Sequence, residues 1–170
     1  YDKNREFVLT TSPSMDILIS SNLERLIYLI CGEDSEKTKE LMEELKTTGK
    51  YTITLEMKEK LADFAAGYST EEETAESIHD TYQKTGYVMD THTAVAAHVC
   101  RQYRAKSGDQ TKCVIASTAS PYKFVKSVMS AIDAENANAD EFDLLPKLQE
   151  VSGVPMPQAI KDILDAKVLH

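Results

Sequence analysis

The stretch Lys112-Cys113-Val114-Ile115-Ala116-Ser117 decides the fold class, because it is a short apolar run followed directly by a turn. Such a run is typical of a strand buried on both faces of a sheet. A strand of this kind needs neighbouring strands and covering helices. After the turn at residues 117–124, the spacing of Phe124, Val128 and Ile132 predicts a helix. A strand followed by a turn and a helix is the pattern of an α/β fold.

Little further β structure is predicted in the rest of the chain. Residues 6–11 are β-prone up to Pro13, and residues 51–54 form a short β-prone link. These segments are too few to bury a central strand. Either the fold is nearly all helical, or the rest of the sheet lies outside this sequence. The start at Tyr1 rather than Met favours the second alternative.

Helical patterns cover most of the chain. Ser21 and Glu24 fit the capping-box motif of a helix start, and Thr70 and Glu73 fit it again. A helix carrying Met57, Leu61 and Phe64 on one face is expected between them. Further helices are predicted at about 35–46, after Asp90, and at about 144–151 and 157–167. We expect residues 33–85 to form a helical block and residues 133–143 an exposed loop.

Composition excludes several classes of function. The 170 residues carry a formal net charge of -9, and no dense Lys/Arg patch appears, which argues against nucleic-acid binding. No apolar run reaches the length of a membrane span. Cys31, Cys100 and Cys113 lie far apart in apolar stretches, so we expect them to be reduced and buried, as suits the cytoplasm. The histidines and cysteines show no metal-ligand spacing, and no metal is expected.

Three groups of polar residues are candidates for a catalytic or binding site. Residues 20–25 place hydroxyls, an amide and Arg25 at a predicted helix start, which favours either an anion site or plain capping. Asp90 and His92 suit acid–base work, or they form an N-cap. The hydroxyl-rich residues 117–124 follow the predicted strand, where ligands bind in open α/β sheets. The residue types leave these alternatives open.

Taken in order, four stretches resemble threonine synthase, an enzyme that depends on pyridoxal 5′-phosphate (PLP) and has the tryptophan synthase β-subunit fold (fold type II). They read Thr-Ser-Pro-Ser-Met-Asp-Ile at 11–17, Ser-Ser-Asn-Leu-Glu-Arg-Leu at 20–26, Asp-Thr-His-Thr-Ala-Val at 90–95 and Ala-Ser-Thr-Ala-Ser-Pro-Tyr-Lys-Phe at 116–124. The ending, from Val154 to His170, is also similar. The resemblance spans nearly the whole chain.

The resemblance implies a function and a place in the family's fold. Threonine synthases convert O-phospho-L-homoserine and water to L-threonine and phosphate. By this resemblance, residues 1–170 are a C-terminal portion of the catalytic domain, with 33–85 as an inserted helical block and 110–132 lining the cofactor site. The family's Schiff-base lysine and PLP-phosphate loop lie upstream, so no catalytic residue is expected in this chain. We expect the isolated portion to be inactive.

Individual residues carry over only in part. Thr118 matches the family hydroxyl that hydrogen-bonds the PLP pyridine nitrogen, and Ser117 is the second choice. Ser21, Asn22 and Arg25 are hypothesised to hold the substrate phosphate. Many members have a histidine where this chain has Ser120, so a role for that side chain does not carry over.

Two rival functions remain open at this point. One is another PLP lyase of the same fold, such as a serine or threonine dehydratase, and the other is a free-standing acidic helical interaction module. The roles of Asp90 and His92, and whether the protein is a monomer or a homodimer, stay unassigned.

Overall fold

The computed structural model describes residues 1–166, and in this range the chain is helical with no β-strand. One isolated antiparallel bridge joins Asp2 and Lys50. The described residues form two compact units, Tyr1–Ala66 and a second that begins at Gly67. The division falls inside the predicted block 33–85. The α-helices are α1 Leu23–Ile30, α2 Ser35–Thr48, α3 Leu55–Glu59, α4 Glu71–Thr85, α5 Thr91–Ser107, α6 Val125–Ile132, α7 Glu141–Ser152 and α8 Gln158–Leu164.

The first unit packs α1, α2 and α3 around one small core. Ile27 and Ile30 of α1 meet Leu41 and Leu45 of α2, and Met57 of α3 closes the cluster. The apolar spacing within each helix produces this face, because residues three and four apart share one side. α1 and α2 therefore lie side by side, with their polar faces turned outward.

A glycine shapes the turn after α2. Gly49 ends the helix with φ 83°, a left-handed conformation that favours glycine. A Cβ at this position would lie 2.3 Å from the Asn4 side chain. Gly49 thus lets residues 2–4 approach the end of α2, where Lys3 N–H donates to the Gly49 carbonyl at 2.9 Å.

The second unit has the larger core, built from α4, α5, α6 and α7. Its most buried residues include Ile78, Ala94, Val128, Leu144 and Leu148, each no more than 1% exposed. Ser77 of α4 donates a 3.0 Å hydrogen bond to the carbonyl of Ala94 of α5, which fixes these two helices against each other. This packing holds the start of α5 in a fixed position.

Most predicted helices are confirmed, and so is one of the two predicted capping boxes. Thr70 caps α4, with Glu73 N–H donating to its hydroxyl at 3.2 Å and Thr70 N–H donating to the Glu73 carboxylate at 2.8 Å. α2 matches its predicted position, whereas α8 begins as predicted but ends at Leu164, before the expected end at Lys167, which lies outside the described residues. The prediction of a capping box at Ser21 and Glu24 is wrong, because no side chain caps α1.

The buried strand at residues 112–117 does not form. The segment has no regular secondary structure, Val114 is 89% exposed and Cys113 is also exposed. A strand needs a partner for its backbone N–H and C=O groups, and nothing within residues 1–166 pairs with it. The expected helix-rich character is confirmed, whereas this chain alone supplies no sheet.

Four smaller expectations are also corrected. Residues 6–11 form no strand, and the expected helix through Phe64 ends at Glu59, where Leu61 and Ala62 make tighter i→i−3 bonds. Residues 134–138 form a 3-10 helix instead of an open loop. The three cysteines are free but not buried, since Cys113 is exposed and the other two are half-buried. No helix within residues 1–166 is long and apolar enough to cross a membrane.

Candidate functional site

Asp90 anchors the first candidate site, in the second unit. Its carboxylate is 1% exposed and sits at the N-cap of α5. The backbone N–H groups of His92 and Thr93 donate to Asp90 Oδ1 at 2.9 and 3.3 Å. The Thr93 hydroxyl makes a short hydrogen bond to Asp90 Oδ2. Both carboxylate oxygens are therefore occupied, which satisfies a buried acidic group.

Thr93 connects this cap to the segment that follows residues 112–116. Its hydroxyl lies 2.9 Å from the hydroxyl of Ser117. The structure therefore brings together two of the polar groups that the sequence analysis singled out, through residues that are 24 positions apart in the sequence. Asp90 reaches Ser117 only through Thr93, so the three side chains form a chain of polar contacts that ends at solvent.

His92 lies beside the same cap. Its Nδ1 is 3.3 Å from Asp90 Oδ1, and its ring centroid is 4.8 Å from that of Phe124 at a tilt of 50°. The imidazole is thus held between a carboxylate and an aromatic ring, with 14% of the side chain exposed. Asp90 therefore caps α5 and also lies beside His92, so both alternatives that the sequence left open for these residues are present in the structure.

The polar end of this site presents two neutral hydroxyls that could form a hydrogen bond with a ring nitrogen such as that of PLP. Ser117 and Thr118 are both exposed, and within residues 1–166 the Thr118 hydroxyl has no hydrogen-bond partner. A neutral hydroxyl can donate to a ring nitrogen or accept from its N–H. Thr118 is available for such a bond, whereas the Ser117 hydroxyl already contacts the Thr93 hydroxyl.

The second candidate site is a groove in the first unit, between α1 and α2. It encloses about 630 Å³. Its basic members are Arg25, Lys39 and Lys46, and its acidic members are Glu24 and Glu43. The other lining residues are Ser21, Tyr28, Ser35, Thr38 and Met42.

The predicted anion-binding residues are placed at this groove in different ways. Ser21 and Arg25 line it, whereas Asn22 occupies the N-cap position of α1 and does not. Asn22 has helical backbone angles (φ −70°, ψ −26°) and makes no capping hydrogen bond. The first turn of α1 therefore has no side-chain cap, and its Leu23 N–H donates to a backbone carbonyl, that of Ser20 at 3.2 Å.

Sequence reasoning missed the two lysines of α2. Lys39 and Lys46 are seven residues apart, two helical turns, and so they share one face of the helix. None of Arg25, Lys39 and Lys46 forms a salt bridge within the described residues, although Lys37 pairs with Glu40 outside the groove at 2.8 Å. The seven-residue spacing was visible in the sequence, but only the contact of α1 with α2 shows that this face meets Arg25.

Ser12 is a further polar feature of the first unit. It is 1% exposed, and its hydroxyl is the one buried side-chain oxygen or nitrogen within residues 1–166 that lacks a hydrogen bond. Ser12 belongs to the stretch 11–17 that resembles the threonine synthase family. No contact among the described residues assigns a role to this hydroxyl.

Comparisons with known proteins agree on one family. The family described as "Threonine synthase, C-terminal" matches residues 93–167. Threonine synthase-like 1 of Pongo abelii is 36% identical over 157 residues, covering 91% of this chain and 21% of its own length. Threonine synthase of Saccharomyces cerevisiae is 35% identical over 162 residues, covering 86% of this chain and 32% of its own length.

A solved structure shows the same likeness. The PLP-bound threonine synthase from Brucella melitensis superimposes with a TM-score of 0.69 at 32% identity, covering 96% of this chain and 31% of that one. This chain therefore spans between a fifth and a third of the length of these relatives.

Proposed function

This chain corresponds to a C-terminal portion of the threonine synthase family, and from that premise we propose that it contributes one wall of a PLP site in an enzyme that makes L-threonine. The proposed reaction takes O-phospho-L-homoserine and water to L-threonine and phosphate. The observation that carries the proposal is the Asp90–Thr93–Ser117 chain of contacts, which ends next to Thr118, the residue that the resemblance matches to the family's cofactor partner.

The cofactor contact is assigned to Thr118, with Ser117 beside it. PLP, when bound, supplies a ring that withdraws electrons from the substrate. A neutral hydroxyl at the ring nitrogen makes that ring a weaker electron sink than a carboxylate would. Thr93 and Asp90 orient Ser117, and Ser117 fixes the backbone that presents Thr118. In the whole protein, residues 110–132 then line the cofactor site of a tryptophan synthase β-like fold.

The substrate phosphate is assigned to the α1–α2 groove. Three basic side chains with no salt bridge in the described residues face this groove, and the uncapped N-terminus of α1 opens at Ser21. Arginine can bind phosphate in bidentate fashion, and lysines add charge. We assign Arg25 and Ser21 to direct phosphate binding, Asn22 to the same helix start, and Lys39 and Lys46 to attraction of the anion.

Replacement of Arg25 in the intact enzyme tests this assignment. Arg25→Ala should raise KM for O-phospho-L-homoserine about tenfold or more, since a charged hydrogen bond is worth roughly 1.5–3 kcal/mol. Lys37→Ala removes a neighbouring charge outside the groove and should leave KM unchanged. If Arg25→Ala leaves both KM and kcat unchanged, the groove does not bind substrate.

A substrate comparison decides between this function and a dehydratase of the same fold. The intact protein should release phosphate from O-phospho-L-homoserine and little ammonia from serine or threonine. The groove favours the first outcome, because dehydratase substrates carry no phosphate. Efficient ammonia release would reverse the assignment.

The chain by itself is proposed to be inactive, because the resemblance to threonine synthase implies that the Schiff-base lysine lies outside it. Adding PLP to this chain should give no saturable absorbance band. A stoichiometric band that Lys123→Ala abolishes would contradict the proposal. We propose that the protein is cytoplasmic, because we expect its cysteines to be reduced.

A further inference from the structure

Cys100 and Cys113 line one cavity in the second unit. Cys100 lies on α5, and Cys113 lies on the segment that leads to Ser117. The cavity encloses about 470 Å³, and Thr93, Ala97 and Arg104 also line it. Cys113, Ile115 and Ser117 alternate along the segment, so one side of it faces the helix.

Two hydrogen bonds fix how the segment runs along α5. At one end, Thr93 and Ser117 are joined by the 2.9 Å hydroxyl contact. At the other end, the Arg104 guanidinium makes a short hydrogen bond to the Thr111 carbonyl. The segment therefore runs antiparallel to the helix and is hydrogen-bonded to it at both ends.

These anchors place the two cysteines at the same level. From Thr93, Cys100 lies about 10 Å along a helix stretch of about 16 Å that ends at Arg104. At the strand-like rise that the alternating contacts of this segment indicate, Cys113 lies about 13 Å from Ser117, along a stretch of about 20 Å that ends at Thr111. Each cysteine is thus about two thirds of the way between the anchors.

The surroundings of the two thiols differ. Cys113 is exposed, while Cys100 is half-buried. The pKa of Cys100 is raised, first by its interaction with the neighbouring Cys113 thiol and then by burial. The thiol that an oxidant reaches first is therefore that of Cys113, and Cys100, which lines the same cavity, is the thiol that reacts second.

We propose that Cys100 and Cys113 form a reversible disulfide when the protein meets a small-molecule disulfide such as oxidised glutathione. The Cys113 thiolate attacks one glutathione sulfur, forms a mixed disulfide and releases one glutathione thiolate. The Cys100 thiolate then attacks the Cys113 sulfur and releases the second. Two cysteine thiols lose two protons and two electrons, and one glutathione disulfide becomes two thiols.

The cross-link would act on the segment that precedes Ser117 and Thr118. Cys113 is four residues from Ser117, so the bond ties this segment to α5 between its two existing anchors. The proposal rests on the proposed function in one respect, because Cys113 must stay accessible when residues 110–132 line the cofactor site of the whole protein.

Peptide mapping of the intact protein tests the proposal. The reduced protein is treated with oxidised glutathione, free thiols are alkylated, and trypsin then separates Cys100 from Cys113 by cleaving after Arg101 and Lys112. We expect one linked peptide pair that dithiothreitol releases, with Cys31 alkylated as the internal control. Cys113→Ser should slow loss of the Cys100 thiol by about tenfold or more.

Two results would overturn the proposal. One is glutathione held stably on Cys113 while Cys100 remains alkylatable. The other is a linked pair that contains Cys31, which would show disulfide exchange without regard to the geometry of the cavity. Circular dichroism of Cys100→Ser and Cys113→Ser before oxidation shows whether each variant is folded.

Discussion

The starts of α1 and α4 have the same sequence motif but different structures. Ser21–Glu24 and Thr70–Glu73 both place a hydroxyl three residues before a glutamate. At α4 both reciprocal hydrogen bonds form, at 3.2 and 2.8 Å. At α1 neither forms, because the helix begins at Leu23 after a turn in which Leu23 N–H donates to the Ser20 carbonyl.

The difference shows what a capping box requires beyond residue type. The N-cap residue must be extended, as Thr70 is with ψ 171°, so that its hydroxyl turns back toward the helix. The N-cap of α1 is already helical, with ψ −26° at Asn22. Departures from a local rule are concentrated at functional sites, and this one lies at the groove assigned to phosphate.

Asp90→Ala should have the largest effect on stability. Asp90 caps α5 as Thr70 caps α4, but its carboxylate is buried and also accepts from the Thr93 hydroxyl. Losing the cap and leaving buried donors without a partner should cost about 2–4 kcal/mol of unfolding free energy. Urea unfolding measures this loss, and hydrogen exchange should rise in α5.

Asp90→Asn is the matched control for that prediction. The amide keeps an oxygen for the cap, so the loss should be clearly smaller than for alanine. Equal losses for the two variants would show that the contact with Thr93, and not the cap, carries the stability.

Thr70→Ala should have an intermediate effect. The substitution removes one capping bond at an exposed helix start, which typically costs about 1 kcal/mol. Hydrogen exchange in the first turn of α4 should accelerate accordingly. Thr70→Ser retains the hydroxyl and should stay close to the original stability, and a loss as large as for alanine would assign the effect to the threonine methyl group.

Glu73 should give the capping box of α4 a smaller contribution to stability, and this contribution depends on pH. The hydrogen bond from Thr70 N–H, followed by the charge of His98, lowers the pKa of Glu73 below its ordinary value of 4.5. A lowered folded-state pKa stabilises the protein above about pH 4.5, and this contribution is lost as the pH falls through the lowered value. Glu73→Gln should therefore flatten the fall in stability below pH 4.5.

A double variant shows whether Thr70 is the source of that effect. In a Thr70→Ala background the capping box is already weakened, so Glu73→Gln should change the acid-limb slope by less. Thermal unfolding between pH 3 and pH 6 provides the comparison. An unchanged effect in both backgrounds would assign the pKa shift to His98, whose Nε2 lies 3.5 Å from Glu73 Oε1.

These contrasts show how far the sequence alone predicts the structure. Local rules located most helices, the cap at Asp90 and the glycine at the end of α2. They failed at residues 112–117, because apolar residues define a strand only when a partner satisfies its backbone. They also did not predict the contact of Thr93 with Ser117 or the position of Lys39 opposite Arg25, since both depend on which elements pack together.

Ser21→Ala should have the smallest effect on stability and therefore separates the two helix starts most clearly. The Ser21 hydroxyl caps nothing, so its removal should change the unfolding free energy by less than about 0.5 kcal/mol. The same substitution in the intact enzyme should still raise KM for O-phospho-L-homoserine, because the hydroxyl lines the groove. A loss near 1 kcal/mol with an unchanged KM would mean that Ser21 caps α1 in solution, and the two helix starts would then follow the same rule.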